Sequence, residues 1–254
     1  MLRVPKLTIV GAGPGDVELI TLKAIKALES ADVVLYDALV DPELLEYAPQ
    51  AEQIFVGKRK GCYAYQQEQI NELIVSRAYT HGHVVRLKGG DPMVFGRGAE
   101  EMNYAAGHGL ETAIVPGISS CLAVPAMQQI PVTKRGSAES FWVITGTTKA
   151  HTLSKDVALA AKSSATVVIL MGMSKLKEIT ELFMKEGRSE NPIAIIQNGT
   201  QENENIGVGK ISDILEIVET QQLSNPAIII IGEVVRNREQ MFNLARQSQL
   251  KELV

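Results

Sequence analysis

The feature that most constrains this chain is an alternation of two periodicities. Short runs rich in Val, Ile and Leu are repeatedly followed by a polar or glycine-bearing turn, then by a stretch with helical spacing. In the first half the strand-like runs are "KLTIV", "DVVLYD", "QIFVG", "HVVRLK" and "TAIVPG". Helical patterns follow Asp16, run from about Gln66 to Ala78 and from Gly96 to Ala106, and resume after Ile118. This alternation predicts α/β with a largely parallel sheet. The second half repeats the theme with "FWVITG", "ATVVILMG", "PIAIIQNG" and "PAIIIIGEVV", with helical stretches such as "SKLKEITELFMKEG" between them. "QENENIGVG" reads as an exposed loop leading into a strand. "PGISS" and "QQIPVTKRGSAES" interrupt the pattern. The expected organisation is two α/β domains, an N-terminal one over 1–117 and a C-terminal one over 118–254, with a ligand cleft between them. Four apolar runs end in polar, glycine-bearing turns, "VGAGPGD", "RLKGGDP", "LMGMS" and "QNGT". Ligands of open α/β sheets sit at the carboxyl ends of strands, although glycine after a strand is also ordinary turn chemistry.

Composition narrows the function classes. The 254 residues suffice for two small domains or one large one, and 45% hydrophobic with 21% charged residues is a globular balance. A net charge of −4 argues against nucleic acid as a partner, so acidic ligands must be met by local cationic clusters. Cys62 and Cys121 have no metal-site spacing and read as free thiols of a reducing compartment, which makes a cytoplasmic setting the expectation. His81, His83, His108 and His151 form no helical ligand pair, and "THGH" reads as a polar turn before a strand, so no metal is expected. The apolar run "AIIIIG" is strand length, far short of a membrane span, and the N-terminal "LTIV" is too short for a signal peptide.

The first turn poses a specific question. "LTIVGAGPGDVELIT", Leu7 to Thr21, reads as strand, glycine-rich turn and helix, the opening of a nucleotide-binding unit. A dinucleotide fingerprint needs a small residue where this chain has Asp16, and Pro14 removes an N–H that a pyrophosphate would use. The dinucleotide reading fails on both counts. A turn for another ligand and a turn with no ligand both remain open.

The densest chemistry lies in "VVRLKGGDPMVFGRGAEE", Val84 to Glu101. Gly89 and Gly90 permit close approach, and Asp91 can accept two hydroxyl hydrogen bonds, as a ribose offers. Arg97 and Glu100 share a face if a helix starts at Gly96. The flanking glycines, poor residues for a surface helix, suggest that something large needs space there, against the alternative of a solvated salt bridge. Further cations stand in "VGKRKG" (Lys58, Arg59, Lys60) and "PVTKRGSAES" (Lys134, Arg135), each readable as a solvated loop or as a receiver of carboxylates.

These segments together, with "ADVVLYDALV", "VPGISS", "IPVTKR", "LMGMS" and "NGT", resemble the uroporphyrinogen-III C-methyltransferases of the tetrapyrrole methylase family in the family's own order, over about Leu7 to Val235. The resemblance implies enzymes of two α/β domains that use S-adenosyl-L-methionine, release S-adenosyl-L-homocysteine and work as homodimers. It implies methylation of two neighbouring pyrrole carbons of uroporphyrinogen III to give precorrin-2, which leads to siroheme, cobalamin or heme d1. Matching positions for the methyl donor are Pro14, Gly89, Gly90, Asp91, Val94, Ser119, Ser120, Met171, Gly199 and Ala227. Matching positions for substrate or proton handling are Asp37, Lys58, Arg97, Glu100 and Arg135. Glu100 is the favoured proton acceptor, organised by Arg97, and Asp37 is second, having no cation beside it in sequence.

The chain departs from the family at four places. "PGISS" keeps a hydroxyl at Ser119, "GRGAEE" is one methyl larger at Ala99, "VTKR" has Lys134 in place of a histidine, and "QENENIG" replaces the usual Gln-Arg pair after "NGT". The dehydrogenase and chelatase half of fused siroheme enzymes is not expected. A methylase of a later corrinoid is the alternative, opposed by "GGDPMVFGRG" and "VTKR". A non-enzymatic NAD-type sensor is the other, opposed by Asp16.

Overall fold

The computed structural model describes residues 4–57 and 65–241. The chain divides into two units, Met1–Ser120 and Cys121–Val254.

The first unit is built on β1 (Lys6–Gly11), β2 (Val33–Tyr36), β3 (Glu52–Phe55), β4 (His83–Lys88) and β5 (Glu111–Val115). The sheet order is β3-β2-β4-β1-β5, and every pairing is parallel, so all five carboxyl ends open on one edge. Alternate residues feed opposite faces, as the pleat requires. Leu7, Ile9, Val84 and Leu35 pack with Ile70, Ile74 and Ala78 of α2 (Gln67–His81) and with Ala105 of α3 (Gly98–Gly107). Val10, Val34, Val85 and Leu87 pack with Ala24 and Leu28 of α1 (Leu22–Glu29). A parallel sheet covered on both faces explains why its strands are near-continuous apolar runs. The helix starts are capped locally: the Thr21 hydroxyl accepts from Ala24 N–H at 3.1 Å.

α4 (Ser120–Met127) leads into the second unit. There β6 (Phe141–Thr145), β7 (Thr166–Leu170), β8 (Pro192–Gln197), β9 (Asn205–Lys210) and β10 (Ala227–Ile231) follow the order β6-β7-β10-β8-β9. Only β6 and β7 are parallel; β10 runs antiparallel to β7 and β8 between them. The N-terminus of β10 therefore lies beside the carboxyl ends of its neighbours, with Ala227 opposite Gln197 and Ile228 opposite Leu170. One face carries α5 (Asp156–Ala160), α6 (Leu176–Lys185) and α7 (Ile214–Thr220) over Ile169, Ile193 and Ile229. On the other, Ala194, Ile196, Ile228 and Ile230 meet Val124 and Ile130. The latter part of "QENENIGVG" is itself β9, an edge strand fixed by its antiparallel register with β8.

Candidate active site

At the carboxyl edge of the first sheet, three turns are tied together. Gly90 N–H donates to Gly13 O at 2.6 Å, and Gly13 N–H returns a bond to Gly90 O at 3.3 Å. Asp91 adds the turn after β5: its Oδ2 accepts from Gly117 N–H at 3.1 Å, its Oδ1 from Met93 N–H at 2.8 Å. The backbones touch so closely that a β-carbon on Gly117 would lie 2.7 Å from Gly11 Cα. Gly90 differs. Its φ is +67° and a β-carbon there would find its nearest neighbours, Ser119 Cα and Ser120 N, only at 3.9 Å. The backbone at Gly90 thus presents a face that a ligand can approach. Pro14 follows Gly13, Gly89 precedes Gly90, Val94 N–H bonds Asp91 O at 3.2 Å, and Ser119 is buried. Sequence-distant Pro14, Gly89, Gly90, Asp91, Val94, Ser119 and Ser120 thus belong to one loop cluster. Asp91 spends both oxygens on backbone donors, and a carboxylate's remaining lone pairs still allow ribose hydroxyls.

In the second unit, Met171 follows β7 in the left-handed region (φ 56°), Gly199 follows β8, and Ala227 opens β10, so all three share one sheet edge. The Thr147 hydroxyl fixes the turn by donating to Met171 O at 2.9 Å. The segment that replaces the Gln-Arg pair is ordered by Glu204, whose Oε2 accepts from Thr200 N–H at 2.8 Å and whose Oε1 bonds Gln128 Nε2. Arg135 stands exposed in a tight turn closed by Lys134 N–H to Ala138 O at 2.9 Å, and Lys134 itself bonds Asn237 and Gln240 at 3.1 and 3.3 Å.

Two expectations are corrected. The glycines around Arg97 do not clear space for a ligand. β-Carbons on Gly96 and Gly98 would lie 2.6 and 2.8 Å from Pro92 O, so these residues let the loop fold back on its own backbone. The helix starts at Gly98, with Arg97 as its left-handed N-cap (φ 60°). Arg97 and Glu100 do pair: Nε lies 3.2 Å from each carboxylate oxygen and Nη2 2.6 Å from Oε2, on an exposed surface. The hydrogen bonds to Glu100 push the guanidinium pKa up. The second correction concerns Asp37. Its Oδ1 accepts from Leu39 N–H at 3.2 Å, but its Oδ2 lies 3.5 Å from Arg86 Nη2, so it does have a cation beside it. The adjacent strands β2 and β4 create a pair that local sequence cannot show. Lys58, and with it Arg59, Lys60 and Cys62, lies outside the described residues.

Beneath Asp37 is a charge cluster that reading the sequence missed. Arg86, Lys88 and Glu101 are 3%, 6% and 1% exposed, too deep for solvent to balance their charges. Glu101 Oε1 receives Lys88 Nζ at 3.0 Å, Gln67 Nε2 at 3.1 Å and Arg86 Nε at 3.4 Å, while its Oε2 has no hydrogen-bond partner among the described residues. Arg86 also donates to Leu35 O and Leu87 O at 3.3 and 3.0 Å. Burial, reinforced by Arg86, pulls the Lys88 pKa down, and Glu101 opposes the shift. The available signal was "VVRLK": two cations at i and i+2 on one face of a buried strand. Among the described residues, no three or more His, Cys, Asp or Glu are grouped to hold a metal ion, and no helix is long and apolar enough to cross a membrane.

Residues 6–215 match the model of the tetrapyrrole (corrin/porphyrin) methylases. The chain belongs to this family. A relative from Methanocaldococcus jannaschii, named uroporphyrinogen-III C-methyltransferase, is 47% identical over 233 residues, covering 91% of this chain and 96% of the relative. A siroheme synthase from Pseudomonas fluorescens is 40% identical over 243 residues, covering 95% of this chain, which spans only 52% of that protein. Among solved structures, the uroporphyrin-III C-methyltransferase of Thermus thermophilus complexed with S-adenosyl homocysteine superposes with a TM-score of 0.79 at 38% identity, covering 91% of this chain and 99% of that one. A cobalt precorrin-4 methyltransferase superposes at 0.81 with 27% identity, covering 91% and 95%. The two-sheet α/β architecture and the family resemblance expected of this tetrapyrrole methylase are borne out.

Proposed function

We propose that this tetrapyrrole methylase transfers methyl groups from S-adenosyl-L-methionine to two neighbouring pyrrole carbons of uroporphyrinogen III, giving precorrin-2. The observation that carries the reading is the stitched loop cluster of Gly13, Gly90, Asp91 and Gly117, with its open backbone face at Gly90. The cluster suits a nucleoside carrying no pyrophosphate. Asp16 is spent as a cap, its Oδ1 accepting from Glu18 N–H at 2.8 Å, and places a carboxylate where a dinucleotide phosphate would lie. The proposed donor positions are Pro14, Gly89, Gly90, Asp91, Val94, Ser119 and Ser120 in the first unit and Met171, Gly199 and Ala227 in the second.

When bound, S-adenosyl-L-methionine supplies a methyl group on a positively charged sulfur, and the electron-rich pyrrole carbon attacks it in line. A carbon–carbon bond forms as the carbon–sulfur bond breaks, and the macrocycle then sheds a proton. Such a transfer depends on positioning. The eight carboxylates of uroporphyrinogen suit guanidinium and ammonium partners, for which Arg97, Arg135 and Lys58 are proposed. For the proton, Asp37 moves ahead of Glu100. Glu100 takes three N–H···O contacts from Arg97, whereas Asp37 receives a single 3.5 Å contact from a guanidinium that Glu101 shares. A homodimer in the cytoplasm completes the reading, and the product serves siroheme, cobalamin or heme d1. Anaerobic incubation with uroporphyrinogen III and S-adenosyl-L-methionine tests it: the product should gain two methyl groups by mass. Transfer to a later corrinoid with none to uroporphyrinogen III would replace this reading with the alternative.

A further inference from the structure

Buried charges are costly, and well-packed apolar residues often serve stability as well or better. The cluster under the carboxyl edge of β4 nonetheless holds two cations and one fully buried carboxylate, next to the loop that carries Gly89 to Asp91. Its balance is specific. Arg86 and Lys88 bring two positive charges, and Glu101, using a single oxygen, faces both. The remaining positive charge is met by Asp37, which alone of the four reaches the rim, with its side chain 26% exposed. Without Glu101, Asp37 would be the sole carboxylate of the cluster, touching Arg86 and within electrostatic reach of Lys88. It would then be held more firmly as an anion and would be a weaker base.

We propose that Glu101 is a positioning residue for proton transfer, the counter-ion that keeps Arg86 and Lys88 from claiming Asp37 outright. The inference rests on the proposed role of Asp37 as proton acceptor. The charged groups around the pair are few among the described residues. Asp37 faces Arg86, and Lys88 lies within its electrostatic reach. Glu101 faces Arg86 and Lys88 from β4 and accepts from the uncharged Gln67 of α2; Arg97, at the start of its own helix, lies within its electrostatic reach and within that of Glu68 of α2.

The test follows the charge count through four proteins, using the acid limb of kcat/KM for uroporphyrinogen III methylation, measured anaerobically. Glu101→Gln leaves one cation too many, so the limb should move to lower pH and turnover should fall. Lys88→Met removes a cation, so the limb should move to higher pH. The double variant Lys88→Met/Glu101→Gln carries the same net charge as the parent and should return the limb close to it. Shifts of at least about half a pH unit are expected for an opposite or like charge entering or leaving so close a site. Folding is checked by thermal melting and by calorimetry with S-adenosyl-L-homocysteine, and Lys88→Met keeps the test alive if Glu101→Gln does not fold. Shifts of both single variants in the same direction, or a Lys88→Met limb that stays put or moves down, would overturn the proposal. Asp37→Asn separates the two levels. If it keeps normal turnover, the reading of Asp37 fails; if it abolishes turnover while the single variants leave the limb in place, only the role of Glu101 fails.

Discussion

Arg86 Nη2 lies 3.5 Å from Asp37 Oδ2, although 49 residues separate them in sequence. The contact follows from topology. β2 and β4 are parallel neighbours with Leu35 opposite Arg86, so the turn leaving β2 is delivered to the face on which Arg86 projects. Asp37 thereby acquires a partner on the buried side while keeping a partly open rim. On this geometry rests the proposal that Asp37 accepts the proton from the substrate.

Cofactor choice follows from the first turn. Asp16 caps the short helical turn Val17–Leu19, and its carboxylate would repel a pyrophosphate. Calorimetry should show S-adenosyl-L-methionine and S-adenosyl-L-homocysteine binding and NAD not binding. Comparable affinity for NAD would overturn the cofactor assignment.

Gly117 and Gly107 should respond oppositely to alanine. At Gly117 the added carbon would press on the Gly11 backbone at 2.7 Å, where nothing can rotate away. Overpacking of this kind costs about 1–3 kcal/mol, or roughly 3–10 °C in melting temperature for a chain this size. At Gly107, the last residue of α3, the new carbon meets nothing within 4 Å, and alanine is the better helix former. Scanning calorimetry should show a clear loss for Gly117→Ala and no loss for Gly107→Ala.

The contrast shows what can be read before a structure. All five strands of the first sheet were legible: the central ones are short apolar runs buried on both faces, and the edge strands β3 and β5 are short β-forming runs bounded by turns. β9 was harder: "NIGVGK" has little apolar pattern, being an edge strand, and only its partner β8 defines it. The reversal of β10 left no local trace, since strand direction depends on the connection and not on the strand's own residues. Of the candidate site, the loop positions could be proposed because each lies in a motif. Their reasons could not: Gly96 and Gly98 answer to Pro92 O, a contact of backbone with backbone. The Asp37–Arg86–Glu101–Lys88 cluster joins β2, β4 and α3 and exists only once they are packed.

His83 ties pH to stability. Nε2 bonds the Thr8 hydroxyl at 2.8 Å and Nδ1 lies 3.0 Å from Ser30 O, at the end of the sheet opposite Asp37. Burial is the leading cause that holds its pKa below the ordinary 6.5. The unfolded chain therefore takes up this proton first as pH falls. The stability owed to neutral His83 is complete above the unfolded value and is lost as pH drops through the folded one. The fall in melting temperature between about pH 7.5 and 5.5 should be shallower in His83→Gln than in the parent. Equal slopes would remove His83 as a source of the dependence.

Arg135 is proposed to meet a substrate carboxylate. It projects from the turn closed by Lys134 and Ala138 and is exposed. A lysine keeps the charge but loses the planar, two-pronged donor. Arg135→Lys should therefore raise KM for uroporphyrinogen or lower kcat, with affinity for S-adenosyl-L-homocysteine unchanged. Parent-like kinetics would place Arg135 outside the site.

The last prediction decides between the two carboxylates. Glu100 is bound by Arg97 at 2.6 and 3.2 Å on an exposed helix start, and protonating it removes the negative charge that strengthens that pairing. Asp37 is bonded by a neutral N–H from Leu39 at 3.2 Å and by Arg86 at 3.5 Å, so a proton reaching either oxygen disturbs less. Removing a general base costs about 100-fold or more in turnover, whereas removing a residue that only helps bind substrate raises KM and leaves kcat largely intact. With both substrates saturating, Asp37→Asn should lose at least ~100-fold in kcat. Glu100→Gln, which frees the Arg97 fork from its intramolecular partner, should act mainly on KM. Calorimetry with S-adenosyl-L-homocysteine should give parent-like binding for both, confirming that the loop cluster at Gly90 is intact. If Glu100→Gln instead carries the loss in kcat and Asp37→Asn turns over normally, the Arg97–Glu100 pair must open when substrate binds, Glu100 is the acceptor, and Asp37 serves only to hold the turn after β2.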